Sequence, residues 1–241
     1  MASAATESGD EQSKGLIAPV WNLIVILLLL AIPVALGTLR LIHSAPVSPQ
    51  SEPVHPANLW MLYGQTLIYE WILFCVVWIG LRSRNNTLRD LIGGHWTTTT
   101  SVVADFAVGA VICIAMFSIG DQVSAWLDPA NGSTLNVIPR DSLDMTVWVA
   151  LSVTAGIVEE VVFRGYLQVQ LARLGLPALG AVAAQTVVFA AGHLYEGLNA
   201  VTVITIYGLL YGLFAVRLRS LRPLIIAHVA FDIVAILHAL S

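Results

Sequence analysis

The sequence predicts an all-α fold, a polytopic bundle of about seven transmembrane helices. Of its 241 residues, 57% are hydrophobic and only 11% are charged, whereas an average soluble domain carries about 25% charged residues. Several apolar runs approach or exceed about 18 residues, the length that crosses a bilayer as a helix. The net charge of −4 comes without a basic run, so we expect membrane lipid as a partner and no nucleic acid.

The apolar segments are arranged as one membrane domain behind a short tail. Residues 1–14 are small, polar and acidic, and we expect them to be disordered. The N-terminal helices and loops occupy residues 15–144, and the C-terminal helices occupy residues 145–241. The predicted spans are 16–42, 59–81, 101–126, 145–165, 177–193, 197–216 and 223–240. A short amphipathic piece at 166–176 is expected to lie between the fourth and fifth spans.

Basic residues set the predicted orientation. With seven spans and the N-terminus inside, eight basic residues lie on the inner side and two, Arg40 and Arg140, on the outer side. Cytoplasmic loops carry an excess of Lys and Arg. The sequence therefore predicts a multi-pass protein, which we place in a bacterial plasma membrane, with a cytoplasmic N-terminus.

The most unusual stretch, TAGIVEEVVFRGYLQ at 154–168, places Glu159, Glu160 and Arg164 in an apolar helix. A lone charged side chain at the centre of a membrane helix costs about 3 kcal/mol on insertion scales. Glu160 and Arg164 are spaced i, i+4 and can pair on one face, whereas Glu159 is turned about 100° away. We interpret Glu159 as pointing at a reacting centre; the alternative is a structural ion pair beside a solvated acid.

Two later segments carry further pairs at the same spacing, Phe189 with His193 and His228 with Asp232. A single histidine on an apolar helix is more often a packing residue than a functional one. Ionisable groups from separate membrane helices, however, normally face one another or a cavity. This convergence predicts one site formed by Glu159, His193, His228 and Asp232.

Two chemistries suit that set of side chains. Histidines with a carboxylate are ligands of hydrolytic zinc sites that keep an open water position, so the metal ligands would come from His193, His228, Glu159 or Asp232. Alternatively, Glu159 acts as a general base on a water held by His193, while His228 and Asp232 stabilise the oxyanion. Either route hydrolyses an amide, and the sequence leaves zinc and a metal-free site equally open.

Two details complicate this prediction. With the spans as drawn, His193 lies about 24 Å into the fifth helix, but Glu159 lies only about 10 Å from the inner end of the fourth. Their side chains would then sit at different depths. Glu70, at the centre of the second span, is a further intramembrane acid, for which we favour a hydrogen bond from a neighbouring helix over a functional role.

At these residues the chain resembles the CPBP (Abi) intramembrane proteases, which include CAAX prenyl endopeptidases and lysostaphin-resistance-like proteins. The family carries three motifs in order, EExxxR, FxxxH and HxxxN or HxxxD. Here they are Glu159-Glu160-xxx-Arg164, Phe189-xxx-His193 and His228-xxx-Asp232. The flanking FRGYLQ and RPLIIAH also resemble the family, and the resemblance extends over about residues 145–240.

The resemblance implies a membrane-embedded endopeptidase acting on a peptide or protein, which in some relatives is prenylated. It implies that Glu159 activates water, His193 holds it, and His228 and Asp232 complete the site. Glu160, Arg164 and Phe189 would be supporting residues. The family has been described both as metalloprotease and as glutamate-dependent, so zinc stays open. Two other functions remain: a transporter or proton relay, and a non-catalytic immunity or scaffold protein.

Overall fold

A computed structural model describes residues 15–43, 56–127, 139 and 141–239, and every regular element in this part of the chain is a helix. The predicted all-α fold is therefore confirmed. The expected disorder of residues 1–14 lies outside the described residues. In chain order the elements are α1 (Val20–His43), α2 (Pro56–Arg82), α3 (Leu88–Ile92), α4 (Thr99–Leu127), α5 (Ser142–Glu159), a π-helical segment (Glu160–Leu167), α6 (Gln168–Arg173), α7 (Ala178–Gly192), a 3₁₀ turn (Leu194–Glu196), α8 (Leu198–Leu218) and α9 (Arg222–Ala239).

Five helices in the described residues are long and apolar enough to cross a membrane. They correspond to the predicted first, second, third, fourth and sixth spans. The helices in the place of the fifth and seventh spans are shorter, with 15 residues in α7 and 18 in α9. In the described part of the chain, five long helices and two shorter ones thus occupy the positions of the seven predicted spans.

The outer surface of the bundle is apolar, as a lipid environment requires. Leu28, Val111 and Val187 are each about two thirds exposed, at 65%, 67% and 66%, and many other large hydrophobic side chains are also exposed. In water such a continuous apolar surface would cause association. Its extent supports an integral membrane protein.

The helix that carries the two adjacent acids passes through the centre of the bundle. α5, the π-helical segment and α6 are continuous from Ser142 to Arg173, and all eight residues of the π-helical segment are buried. α2 and α9 pack against α5, α7 packs against α8, and α4 packs against α9. The central helix is consequently shielded by neighbours where its charged residues lie.

The fourth predicted span ends too early, because the helix continues through the segment that we expected to be a separate amphipathic piece. Gln168 and Gln170 gave that segment its polar character, yet both are buried. Gln168 Nε2 donates to the Gly212 carbonyl. Gln170 Oε1 accepts from the N–H groups of Ile17 and Ala18, and its Nε2 donates to the Ala18 carbonyl. Both glutamine side chains therefore form hydrogen bonds with backbone groups inside the bundle.

The contact between α7 and α8 depends on small residues. A Cβ atom added at Gly212 would lie 2.8 Å from Gln185 Nε2 and 2.9 Å from Val182 Cγ1. We expect Gly212→Ala to lower the free energy of unfolding by about 1–3 kcal/mol through overpacking. Gly64→Ala is the matched control, because its added Cβ meets no atom within 4 Å and alanine favours a helix over glycine. Thermal unfolding in detergent measures both, and equal stability of the two variants would contradict the packing.

Candidate active site

The two acids lie at a change of helix type. Glu159 is the last residue of α5, and Glu160 is the first residue of the π-helical segment. π-Helical turns are rare and occur frequently at functional sites, because the extra residue widens the turn. Nothing in the composition or periodicity of the chain predicts this element. It is the local feature that presents Glu159 and Glu160 to different neighbours.

Glu160 forms a buried ion pair with Arg164, as the i, i+4 spacing predicted. Arg164 NH1 lies 3.1 Å from Glu160 Oε1, and both side chains are almost fully buried. The guanidinium carbon of Arg164 lies over the rings of Phe189, at 4.4 Å from the centroid, and Tyr211, at 5.4 Å. Arg164 is therefore held by a carboxylate and two aromatic faces, an arrangement that suits the planar guanidinium.

The same Glu160 carboxylate also orients His228. Its Oε1 atom lies 2.9 Å from His228 Nδ1. An ionised carboxylate can only accept a hydrogen bond, so Nδ1 carries a proton and donates it. This contact turns the other ring nitrogen, Nε2, toward Glu159, with 3.6 Å between His228 Nε2 and Glu159 Oε2.

His193 is oriented in the same manner by a backbone group. Its Nδ1 lies 2.8 Å from the Phe189 carbonyl oxygen, which can only accept, so Nδ1 is again the donor. His193 Nε2 lies 4.0 Å from Glu159 Oε1. Glu159 thus has one imidazole beside each carboxylate oxygen, and the structure brings together side chains from three helical segments.

Asp232 lies at the edge of this group. Its Oδ2 atom is 3.9 Å from His228 Nε2, and its side chain is about one quarter exposed, at 26%. The indole N–H of Trp148 donates to the Asp232 backbone carbonyl at 3.4 Å, which ties α9 to α5. The carboxylate is near His228 and is more open to the surroundings than Glu159, whose side chain is 14% exposed.

The difference in depth between Glu159 and His193 that follows from the spans as drawn does not occur, because His193 Nε2 lies 4.0 Å from Glu159 Oε1. At 1.5 Å per residue, Glu159 lies about 21 Å from the end of α6 at Arg173, and His193 lies about 22 Å from the start of α7 at Ala178. A short connection joins those two ends. The mismatch came from ending the fourth span at residue 165, and the continuous central helix removes it.

α1 supports the turn that follows His193. A Cβ atom added at Gly37 would lie 2.8 Å from Leu194 Cβ and 2.9 Å from the Tyr195 backbone nitrogen. The ring of Tyr195 in turn stacks near His193, with 6.0 Å between centroids. Close approach of α1 therefore fixes the position of the turn beside the imidazole.

Histidine and carboxylate side chains are zinc ligands by type, but at this site they are not arranged around one metal position. Within the described ranges, no group of three or more His, Cys, Asp or Glu side chains is placed to hold a metal ion. The nitrogen–oxygen separations around Glu159, 3.6 and 4.0 Å, are longer than direct hydrogen bonds. We accordingly derive no chemical step through a metal.

Glu70 is a further carboxylate near this group that we had not assigned to it. It lies on the buried face of α2, and its charge interacts with Glu159 and His228. The hydrogen bond that we expected from a neighbouring helix is missing at Glu70 Oε2, which has no partner among the described residues. In the sequence, its position at the centre of an apolar span was the feature that could have indicated a place in the site.

Comparison with known proteins agrees with the motifs. Residues 141–234 match the family model described as Rce1-like, type II CAAX prenyl endopeptidase Rce1-like. The resemblance to the CPBP family is thereby confirmed, and all three motifs lie within the matched segment. No curated protein and no solved structure matches the chain. The match supports, in general terms, a membrane endopeptidase of the CAAX type.

Proposed function

Starting from that family match, we propose that the protein hydrolyses a peptide bond with a water activated by Glu159. The observation that carries this proposal is the pair of imidazole Nε2 atoms that face one carboxylate at 3.6 and 4.0 Å. A neutral imidazole that donates through Nδ1 has a lone pair on Nε2. His193 Nε2 and the Glu159 carboxylate are then both acceptors, and a water between them can donate to both.

The chemical step uses these positions directly. The water oxygen attacks the carbonyl carbon of the scissile bond while Glu159 takes a proton from the water. His193 accepts the hydrogen bond that holds the water in place. When the carbon–nitrogen bond breaks, Glu159 returns the proton to the leaving amine. The products are a carboxylic acid and an amine, which form a carboxylate and an ammonium group once the acid's proton passes to the amine, and Glu159 is regenerated in its ionised form.

His228 is suited to stabilise the oxyanion formed by that attack. Three carboxylates lie near its ring, Glu160 at 2.9 Å, Glu159 at 3.6 Å and Asp232 at 3.9 Å. When the ring is protonated, both of its nitrogens donate. In that form Nε2 can donate to the oxyanion while Nδ1 remains bonded to Glu160. Asp232 completes the site as the carboxylate that balances this charge.

The experiment that tests this function is peptide cleavage by purified protein in liposomes. We propose a peptide or protein substrate whose cleaved end lies at the membrane, and a farnesylated CAAX-type peptide and its unmodified form are the two probes. Activity that survives a chelator, in protein without bound zinc, supports the glutamate route. Activity that requires zinc would contradict it in favour of the metalloprotease. Ion flux without cleavage would favour a transporter. The absence of both cleavage and ion flux would favour a scaffold or immunity role.

The close contact between α1 and the turn after His193 allows a second test of the proposed function. We expect Gly37→Ala to lower kcat/KM by about ten- to a hundredfold, since small displacements of a reacting group have effects of that size. Gly64→Ala introduces the same methyl group into α2 where nothing lies within 4 Å and serves as the control. Equal cleavage rates for the two variants, at equal amounts of folded protein, would contradict the supporting role of α1.

A further inference from the structure

The carboxyl group of Glu70 lies on the otherwise apolar, buried face of α2. Tyr63, Glu70, Leu73 and Val77 recur at the spacing of one helix face, and all four are buried. Leu73 and Val77 belong to the same core cluster as Val158 of α5. Glu70 is 5% exposed, so its side chain lies within the bundle and away from lipid.

The alignment of α2 with the central helix brings Glu70 toward Glu159. The ring of Tyr63 meets the ring of Trp148 with 6.0 Å between centroids. Further along, the end of α2 and the π-helical segment line one cavity, through Leu81 and Gly165, so the two helices run in the same direction. Glu70 lies seven residues beyond Tyr63, about 10 Å along α2. Glu159 lies eleven residues beyond Trp148, about 16 Å along the central helix. The two acids therefore differ in level by about one or two helical turns.

Electrostatic neighbours agree with this alignment. The Glu70 carboxyl interacts with Glu159 and His228, and the hydroxyl group of the adjacent Tyr69 also interacts with Glu159. Tyr69 itself is held by a hydrogen bond from its hydroxyl to the Leu29 carbonyl. Two members of the proposed site, Glu159 and His228, are therefore among the charged neighbours of Glu70, although Glu70 lies outside the segment that matches the family model.

Glu70 also lacks the hydrogen bond that a buried carboxyl group requires. Its Oε2 atom is buried and has no hydrogen-bond partner in the described part of the chain. A buried acceptor without a donor costs about 1–3 kcal/mol, and more when it is charged. A peptide that binds beside Glu159 has the complementary need, because its backbone N–H groups also lose water there.

We propose that Glu70 is a substrate-binding residue that accepts a hydrogen bond from a backbone N–H of the peptide beside the scissile bond. This inference rests on the proposed peptidase function and extends its site to α2. Binding of the peptide would satisfy both groups at once. The chemical class of the ligand is an extended peptide backbone, and the role of Glu70 is to bind and position it.

Kinetics of three variants separate binding from chemistry. Glu70→Leu and Glu70→Met remove the acceptor, and we expect KM to rise about three- to tenfold, the effect of losing one hydrogen bond, with kcat nearly unchanged. Glu70→Gln keeps an acceptor of the same length, and we expect it to retain nearly the wild-type KM. Thr66→Val is the control, because this half-buried polar residue of α2 bonds only to its own helix at the Leu62 carbonyl.

Thermal stability distinguishes this role from a structural one. Removal of a buried carboxyl group without a partner is expected to leave the melting temperature unchanged or to raise it. A KM that stays at the wild-type value in both apolar variants, or a lower melting temperature in both, would overturn the inference. Absence of cleavage by the wild-type protein would instead contradict the proposed function, so the two failures are distinguishable.

Discussion

Glu159→Gln is expected to lower kcat by about a hundred- to ten-thousandfold, the contribution typical of a positioned general base. Glutamine keeps the shape and hydrogen-bonding capacity of the side chain but cannot take a proton from water. Because the change affects the transition state more than substrate binding, KM should change little. Peptide cleavage by purified protein in liposomes measures both constants.

Asp121→Asn is the matched control for Glu159→Gln. Asp121 is another acid within a membrane helix, but it is exposed and lies toward the end of α4. Its conversion to an amide removes the same charge away from the proposed site. Full activity of Glu159→Gln, with a melting temperature like that of the control, would remove Glu159 from the mechanism.

Arg164→Met is expected to have the largest effect on stability. It leaves the fully buried carboxylate of Glu160 without its cation, and breaking one side of a buried ion pair costs about 3–5 kcal/mol. The two aromatic faces around the guanidinium also lose their cation. Chemical or thermal unfolding in detergent gives the change in the free energy of unfolding.

Two further variants show whether charge imbalance is the cause. Glu160→Gln combined with Arg164→Met removes both charges, and it should recover most of the lost stability because no unpaired charge remains. It should not recover cleavage, since His228 Nδ1 no longer donates to a carboxylate at Glu160. Arg173→Met, which changes an exposed arginine of the same helix, should be nearly neutral. A loss in Arg173→Met as large as in Arg164→Met would contradict this explanation.

Several of the side chains that come together were predictable from the sequence. Costly polar groups at i, i+4 spacing on successive apolar segments indicated the pairing of Glu160 with Arg164 and the convergence of Glu159 with His193 and His228. This succeeded because lipid offers no alternative partner for such groups. The catalytic roles of these residues remain predictions.

Other features depend on contacts that residue types do not specify. Gln170 belongs to a segment that looks amphipathic in the sequence, but it bonds to backbone groups of Ile17 and Ala18 some 150 residues away. The helix that carries it continues past residue 165. The π-helical segment has no signature in composition or periodicity. Glu70 was visible as an intramembrane acid, but only the packing of α2 on α5 places it near Glu159.

The measurement that tests the account most directly is a double-mutant cycle on peptide cleavage with Glu159→Gln and His193→Ala. Residues that activate the same water act as a unit, so their effects on kcat are not additive. We predict that the double variant is no slower than the slower of the two single variants. Losses that multiply in the double variant would show that the carboxylate and the imidazole act separately, and would contradict a shared water at a single site.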